Sequence, residues 1–446
     1  MSARYCGHMC FVNRFAVHLS CLLLLGATGC GGDSADGSPP DAGMAPADSE
    51  PMGAGGAAPA VDWVYGYGGA ETEEHPHAAA LTQDGGFVMV GESTSESSSQ
   101  IFVVRTDAEG RELFARGFGT NRFNLGNFVV EEADGNLLVA GAWDVGSGAI
   151  DEDRVMLRLS SSGELLTTQS YPGTGRDAIE GFTINPDGSV IAVGYSGADQ
   201  SELSTFIVDS GQAMVMKLNS DLSVAWERSL PVNFFQAFRV LPRAEGDGYA
   251  VFGACRRPSG EETFCLSFVE PDGNASEPLL FGSGTAHPYD FDATPDGGFI
   301  MTGHLMTCGG GCWDGWMIKV DAAGGMIWNL VFGQPNGGTP EQMYEECYGV
   351  RAVPSGGYIT GCGSGVEPGN EVRENDPLNV WRAYVVRVTE AGSIQWQASY
   401  GSPEANNAAE FVLALADGSY AVFADSDEYG GGAANFALYK LRPDPQ

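Results

Sequence analysis

Basic side chains are scarce in this chain. Its 446 residues include 22 Lys and Arg against 58 Asp and Glu, which gives a formal net charge of −36. A protein that binds nucleic acid needs cations to neutralise phosphates, so this balance argues against that function. It indicates either a solubilising surface outside the cytoplasm or a face that attracts cations or a basic partner.

Long apolar runs and helical periodicity are also missing. The apolar stretch at residues 15–27 is too short to span a bilayer, and no later segment reaches membrane length. No segment keeps a period of 3.6 residues, which excludes a solenoid of helical repeats. The 64 glycines follow no three-residue period, which excludes collagen.

The first 30 residues are typical of an export signal. Arg4 and Arg14 precede the apolar stretch, which ends in "GATGC" at Cys30. The small residues before Cys30 resemble the lipobox of bacterial lipoproteins. This resemblance implies that residues 1–29 are removed, that Cys30 carries lipid and that Gly31 directs the protein to the outer membrane, facing the periplasm or the exterior. Simple secretion is the alternative.

Residues 30–60 contain no aromatic residue and little to bury, so we expect a flexible tether. Residues 61–446 are instead built from repeats. One phrase, aromatic-x-x-x-aromatic-Gly, occurs as "WVYGYG", "FARGFG", "WNLVFG" and "WQASYG", with degraded copies at 167–172, 226–231 and 277–282. An internal repeat of this length predicts a repeat architecture.

Two further phrases recur beside the first. A Gly/Asp turn leads into an apolar run, as in "QDGGFVMVGES" and "PDGGFIMTGHL", and an alternating strand ends near a basic residue, as in "FVVRTD" and "WMIKVD". Asp-Gly between alternating runs is a strong hairpin signal. Each repeat therefore predicts four short antiparallel strands, A to D, and repeats of this kind indicate an all-β fold, a seven-bladed β-propeller.

The last repeat ends after strand C at "NFALYKLRPDPQ" and has no aromatic phrase of its own. The isolated "WVYGYGG" at 63–69 supplies the missing strand D. We therefore expect the N-terminal strand to complete the last blade and close the ring, which removes sheet edges.

The fifth repeat, "ATPDGGFIMTGH" followed by "MIKVDAAGGMIWNLVFG", resembles the repeats of bacterial secreted and lipoprotein β-propellers with SBBP-like repeats. The resemblance covers about residues 61–446 and implies the propeller fold and an extracytoplasmic setting. It implies no particular ligand.

Candidate ligand residues lie in the long B–C connections and at the starts of the A strands. The B–C connections at 143–154, 195–212, 305–315 and 363–379 are rich in acids, and long loops on a rigid scaffold commonly bind ligands. Calcium is a candidate cofactor there, at Asp151 and Asp153 with Glu152 or at Glu371, Glu374 and Asp376. Neither group has the spacing of a twelve-residue calcium loop.

A set of mostly polar residues lies ten positions before each turn: Glu74, Asn124, Asp177, Ala237, Ala286, Glu345 and Asn407. This ring predicts either a ligand or cation site at the channel mouth or turn caps, and we favour caps. His75 and His77, with His287 in the matching loop of the fifth blade, are candidate zinc ligands or exposed loop histidines.

Aromatic and basic residues divide by position. Trp226, Trp328 and Trp396 recur in the repeat phrase and predict inter-blade core, whereas Trp143, Trp313 and Trp381 lie in loops and are candidates for stacking on sugars. The three lysines, Lys217, Lys319 and Lys440, share the strand-C position with Arg105, Arg158 and Arg387. We expect them to pair with a neighbouring acid or to cover a strand.

Six cysteines remain after Cys30, and an even number in an exported domain favours disulfides. Local geometry predicts three pairs: Cys255–Cys265, Cys308–Cys312 and Cys347–Cys362. A metal site formed by Cys308, Cys312 and His304 is the alternative for the middle pair.

No Ser-His-Asp order, phosphate loop or isolated thiol nucleophile stands out. We therefore expect a monomeric cell-envelope lipoprotein, held to the membrane by its lipid, that acts as a non-enzymatic binding or scaffold propeller for an unidentified protein or glycan. The alternative is an extracellular polysaccharide hydrolase or lyase that uses loop carboxylates and loop tryptophans.

Overall fold

The computed structural model describes residues 56–95, 98–146, 151–199, 207–208, 210–244, 246–307, 313–335, 343–366, 379–430 and 434–445. These residues form β-strands joined by turns and loops. None of them lies in a helix long and apolar enough to cross a bilayer. The signal segment, Cys30, Cys308, Cys312, Glu371, Glu374 and Asp376 fall outside the described residues.

The strands are antiparallel and arranged in sets of four, A to D. The A strands are β2 (Glu73–Leu81), β6 (Asn124–Glu131), β10 (Arg176–Ile184), β14 (Phe234–Pro242), β18 (Ala286–Ala293), β22 (Met343–Ala352) and β26 (Asn407–Ala414). The B strands are β3 (Phe87–Ser95), β7 (Leu137–Asp144), β11 (Val190–Ala198), β15 (Tyr249–Arg256), β19 (Phe299–Met306), β23 (Tyr358–Val366) and β27 (Tyr420–Ser426).

The C strands are β4 (Ser98–Thr106), β8 (Glu152–Leu159), β12 (Gln212–Leu218), β16 (Glu262–Val269), β20 (Trp313–Val320), β24 (Arg382–Val388) and β28 (Asn435–Leu441). The D strands are β5 (Glu112–Phe118), β9 (Leu165–Tyr171), β13 (Val224–Ser229), β17 (Leu279–Leu280), β21 (Met326–Phe332), β25 (Ile394–Tyr400) and β1 (Val61–Tyr67). Glycines with positive φ in the turns, such as Gly85 at 84°, allow the tight reversals between strands.

Three sheets have four strands each, and two have eight. Each eight-stranded sheet consists of two sets joined by a single parallel pair, Arg176 with Glu152 or Trp313 with Tyr344. Every A strand contacts the A strand of the next set along the chain, and β26 also contacts β2. The apolar core lies between these stacked sheets, whereas D strands such as β9 and β13 are largely exposed.

The N-terminal strand β1 pairs with β28, as the aromatic phrase predicts, with Val64 opposite Tyr439. Trp63 of β1 also packs on the turn between β4 and β5, where a Cβ on Gly110 would lie 2.5 Å from its ring. Trp226 and Trp328 make the same contact with Gly273 and Gly392 in the C–D turns of the sets that follow them.

Residues 56–60, which composition assigns to the tether, lie against β25. The Gly56 N–H donates to the Gln395 carbonyl oxygen at 2.7 Å, and the Tyr400 hydroxyl donates to the Pro59 carbonyl oxygen at 2.9 Å. Ala58 is buried. The packed part of the chain therefore includes residues 56–60, which lie before the expected boundary.

The basic residue at the shared position of strand C forms an ion pair with an acid of the A–B turn in most sets. Arg105 lies 2.9 Å from Asp84, and Lys319 lies 2.9 Å from Asp296. In β16 this position holds Phe268, and the Arg243 guanidinium stacks over its ring at 4.6 Å. The pairs tie each A–B turn to its own sheet.

Candidate functional site: the axial cavity

A β-bulge interrupts every A strand and turns one side chain toward a common cavity. In β2, for example, the pairing with β3 shifts between Pro76 and Ala78, which makes His77 the bulged residue. A bulge places an extra residue in one strand and redirects its side chain. The bulged residues that line the cavity are His77, Asn127, Glu180, Phe238, Tyr289, Tyr348 and Glu410.

These side chains nearly fill the cavity that they line. About 30 Å³ remains for the centre of a water-sized molecule. A single water needs roughly 10–15 Å³ by this measure, so the space suits one or two waters or one small ion. A sugar ring or an organic cofactor is too large for it.

One side of the cavity is a hydrogen-bonded network around Glu180. Gln236 Nε2 donates to Glu180 Oε1 at 2.9 Å, and Arg239 Nη1 donates to the Glu180 carbonyl oxygen at 2.7 Å. Burial raises the pKa of Glu180 to about 7, although Gln236 and Arg239 oppose the shift. The carboxyl therefore titrates near neutral pH.

Behind this side, Asp290 joins two arginines from different A strands. Arg239 Nε donates to Asp290 Oδ1 at 3.2 Å, and Arg351 donates to Asp290 Oδ2. Arg351 also stacks over the Phe411 ring at 4.3 Å. A buried carboxylate that satisfies two guanidinium groups holds three neighbouring sets in a fixed arrangement.

Beside the cavity, His75 of β2 forms an ion pair with Asp425 of β27. The Nδ1–Oδ2 distance is 2.9 Å, and Glu92 lies buried in the same cluster. Burial alone lowers the pKa of His75, but Asp425 and then Glu92 and Glu73 raise it to about 9. His75 is therefore a buried cation rather than an exposed loop histidine.

His77 behaves in the opposite way. Its Nδ1 lies 2.9 Å from the Gly126 carbonyl oxygen, and burial lowers its pKa to about 4. His75 and His77 thus have different environments, one in the ion pair and one on the cavity. No group of three or more His, Cys, Asp or Glu residues in the described part of the chain is arranged to hold a metal ion.

His287 lies in a separate aromatic cluster. Its Nδ1 lies 3.2 Å from His304 Nε2, and its Nε2 lies 3.4 Å from Glu262 Oε2. The Trp313 ring packs on it at a centroid distance of 4.4 Å. His304 thus has a structural partner, whereas its proposed metal partners, Cys308 and Cys312, lie outside the described residues.

The polar residues that open the A strands act as caps in the structure. Glu74 accepts hydrogen bonds from Ser93 Oγ at 2.9 Å and from the Gly69 N–H at 3.2 Å. Asn124 Nδ2 donates to the carbonyl oxygens of Ser99, Thr120 and Arg122. Both side chains are buried, and they tie the D–A loop to the sheet.

Asp177 and Glu345 have strongly shifted acidities. Burial raises the pKa of Asp177 to about 6, with the Gly197 N–H bound to Oδ1 at 3.1 Å. Burial also raises the pKa of Glu345 to about 8, although hydrogen bonds from Gln334 and Ser364 oppose the shift.

Asn407 also acts as a cap. Its Oδ1 accepts hydrogen bonds from the hydroxyl groups of Ser426 and Tyr439, at 2.7 and 2.6 Å.

Ala237 does not belong to this ring. It lies opposite Gly253, and Pro76 has the corresponding position opposite Gly91 in the first set. The β14–β15 turn, residues 243–248, is one residue longer than the others, and its Asp247 is the fifth turn residue instead of the third, which shifts an alignment made on Asp-Gly by two positions. Ala286 is buried against Leu305 at the start of β18.

The tryptophans assigned to loops have little free surface, and the assignment is wrong for two of them, because Trp143 lies in β7 and Trp313 begins β20. Trp381 is 1% exposed and packs on Gly363 and Gly365, and Trp313 is 6% exposed. Trp143 is partly exposed, and its Nε1 donates to Ser170 Oγ at 3.0 Å. None of the three presents two open ring faces in the described structure.

The acids of the first B–C connection are used locally. Asp153 Oδ1 accepts from the Gly173 N–H at 3.3 Å, and the Asp151 N–H donates to Asp144 Oδ1 at 3.1 Å. Glu152 forms a buried ion pair with Arg176 at 2.6 Å. The contacts of Glu152 and Asp153 reach the start of the next set in the same eight-stranded sheet, whereas the Asp151 contact stays within its own connection.

Two of the three predicted disulfides are present. Cys255–Cys265 links β15 to β16 with a Cα–Cα distance of 5.7 Å, and Cys347–Cys362 links β22 to β23 with a Cα–Cα distance of 3.9 Å. The third pair lies outside the described residues and stays a prediction.

Sequence reasoning missed most of the bulged residues of the cavity. Of the seven, only His77 was among the candidate residues of the sequence; Asn127, Glu180, Phe238, Tyr289, Tyr348 and Glu410 were not. The spacing between a bulge and the A–B turn, seven residues from His77 to Asp84 and from Glu410 to Asp417, could have located the others, but Phe238 lies nine residues before Asp247.

No family model matches this chain, and no curated protein does. Among solved structures, the chain is similar to the WD40 domain of Neurospora crassa Pan2, at 10% identity over 84% of this chain and 91% of that domain, with a TM-score of 0.50. It is also similar to the Dos1 propeller, at 8% identity over 85% and 95% of the two chains, with a TM-score of 0.43.

The Pan2 likeness shows a fold and nothing about a ligand. Together with the four-stranded antiparallel sheets, it defines this chain as a β-propeller.

Proposed function

We propose that the chain is a closed seven-bladed propeller and that it acts as a non-enzymatic binding scaffold of the cell envelope. Closure is supported by the pairing of β1 with β28, by the packing of Trp63 on Gly110 and by the contact of β26 with β2. These contacts join the last set to the first as the other sets are joined.

The small volume of the axial cavity is the observation that best supports the scaffold role. Its bulged side chains leave about 30 Å³, which is too small for an organic substrate. Several of the buried titratable groups around it are engaged with one another, as in the His75–Asp425 and Arg239–Asp290 pairs. A partner would then bind at the rim, where the long B–C connections emerge from the rigid sheets.

The proposed location in the cell envelope is supported by the sequence. The lipobox-like "GATGC" and the likeness to SBBP-like lipoprotein repeats support a lipid on Cys30 and an outer-membrane location. Residues 56–60 run along β25 and would carry the tether out beside that strand.

A glycan array combined with a reducing-sugar assay tests the role. We expect retention of a glycan, or of a protein partner in a parallel screen, without release of reducing ends. Catalytic release of sugar ends that survives repurification would overturn the scaffold and favour the polysaccharide hydrolase. Unsaturated products would favour the lyase.

A further inference from the structure

Glu410 is a buried carboxyl group without a hydrogen-bond donor. It is the bulged residue of β26, it is 5% exposed and it lines the axial cavity. No donor reaches its carboxylate from the described residues, whereas nearly every other buried acid near the axis has one. A buried carboxylate needs a proton or a cation as its partner.

The charges around Glu410 favour a cation. The groups that face it from neighbouring elements include Glu346 on β22 and Asp425 on β27. Glu92 on β3 adds a third acid near Asp425, and His75 on β2 is the one cation paired within this cluster. Arg351 and Arg239 are bound to Asp290, and Arg239, which also lines the cavity, acts on Glu180 and not on Glu410.

The lining offers further oxygen acceptors. Glu180 uses Oε1 to accept from Gln236, and Asn127 uses Nδ2 to donate to the Ile179 carbonyl oxygen at 3.1 Å. This leaves Glu180 Oε2 and the side-chain oxygen of Asn127 able to accept a cation. The volume, about 30 Å³, suits one ion with few or no waters.

We propose that this cavity binds one alkali-metal cation, with Glu410 as its anionic ligand and the side-chain oxygens of Glu180 and Asn127 as its other ligands. Calcium is a poorer fit because it takes six to eight oxygen ligands, several of them carboxylate, and the described residues contain no cluster of three such groups. Burial first, and then Asp425 and Glu346, raise the pKa of Glu410, so the cation competes with a proton. The site lies at the centre of the sheets and is independent of any partner at the rim.

Thermal unfolding at pH 8 tests the site. The protein is dialysed into choline chloride, and NaCl, KCl or CaCl2 is then added at constant ionic strength. We expect a saturable rise in Tm with Na⁺ or K⁺ that Glu410→Gln abolishes and that Glu109→Gln, at an exposed acid, retains. The proposal would be overturned if choline chloride raised Tm as much as NaCl or KCl does, or if the Glu410→Gln variant kept the rise in Tm.

Two further results keep the test decisive. If Glu410→Gln fails to fold, Asn127→Ala is expected to weaken the ion-dependent rise, and a crystal soaked in thallium(I) is expected to show an anomalous peak between Glu410 and Glu180. Absence of the peak at saturating thallium would contradict the site. A wild type that ignores alkali ions while Glu410→Gln gains stability at pH 8 would mean that the carboxyl group holds a proton instead.

Discussion

A Cβ placed on Gly173 would lie 2.1 Å from Oδ2 of Asp177. The same relationship joins Gly68 to Glu74, Gly119 to Asn124, Gly333 to Glu345 and Gly401 to Asn407, at 2.2 to 2.5 Å. The glycine that ends the aromatic phrase, or follows its final proline, therefore makes room for the cap at the start of the next A strand.

Gly173→Ala and Gly333→Ala should each destabilise the protein by about 1–3 kcal/mol, the usual cost of overpacking a well-packed site. The control is Gly361→Ala, where the nearest atom would lie 3.5 Å away, and this variant should be nearly neutral. Denaturant unfolding measures all three. The double variant Gly173→Ala/Asp177→Ala should lose less free energy of unfolding than the two single variants lose together. Strict additivity of the two losses would contradict the steric account.

Stability should fall as pH rises from about 6.5 to 9. His75 has its pKa raised to about 9, and Glu345 and Glu180 have theirs raised to about 8 and 7. For each group the folded state binds the proton more tightly than the unfolded state, so stability is lost from about pH 6.5 to 9 for His75, and from about pH 4.5 to 8 for Glu345 and to 7 for Glu180. His77, with its pKa lowered to about 4, acts in the opposite direction, but only below about pH 6.5.

Thermal melts between pH 6.5 and 9 check this prediction in choline buffers. Glu345→Gln should flatten the decline, because the amide does not titrate, whereas Glu404→Gln at the surface should leave it unchanged. A Tm that rises across this window would contradict the buried environments of His75 and Glu345.

The disulfides should contribute modestly. Cys347–Cys362 closes a loop of about 15 residues, for which the chain-entropy model gives about 3 kcal/mol. Cys347→Ser/Cys362→Ser should lose about 2–3 kcal/mol, and Cys255→Ser/Cys265→Ser, which opens a shorter loop, should lose less. Non-reducing peptide mapping should also recover Cys308–Cys312; a link from Cys308 to Cys362 would refute the assignment.

Lipid attachment predicts a change of location. Cys30→Ser should abolish acyl labelling and release the protein from the membrane fraction. Wild-type protein expressed in the same host is the reference. Membrane association that persists without acylation would argue for another mode of attachment.

The repeat pattern predicted the strands, the order A to D and the pairing of β1 with β28, because Asp-Gly turns and alternating apolar residues are local signals. For Arg105 and Lys319 it predicted either an acid partner or cover of a strand, and the structure shows the first, with Asp84 and Asp296 of the same repeats as partners. The cavity was missed because a bulge changes the face on which a side chain lies without altering composition, so the spacing to the turn identifies the lining only once the bulge is known. The burial of Trp381 depends on Gly363 and Gly365 of a neighbouring strand, which the spacing of a loop residue does not reveal.

The most direct test of the closed ring removes its closing strand. A variant lacking residues 56–67 should leave the edge of β28 unpaired, lose several kcal/mol of unfolding free energy and self-associate, because an open sheet edge is a template for pairing. Adding a synthetic peptide of residues 56–67 should restore part of the stability. Equal stability of the shortened and full chains by denaturant unfolding, with both remaining monomeric, would contradict closure by β1.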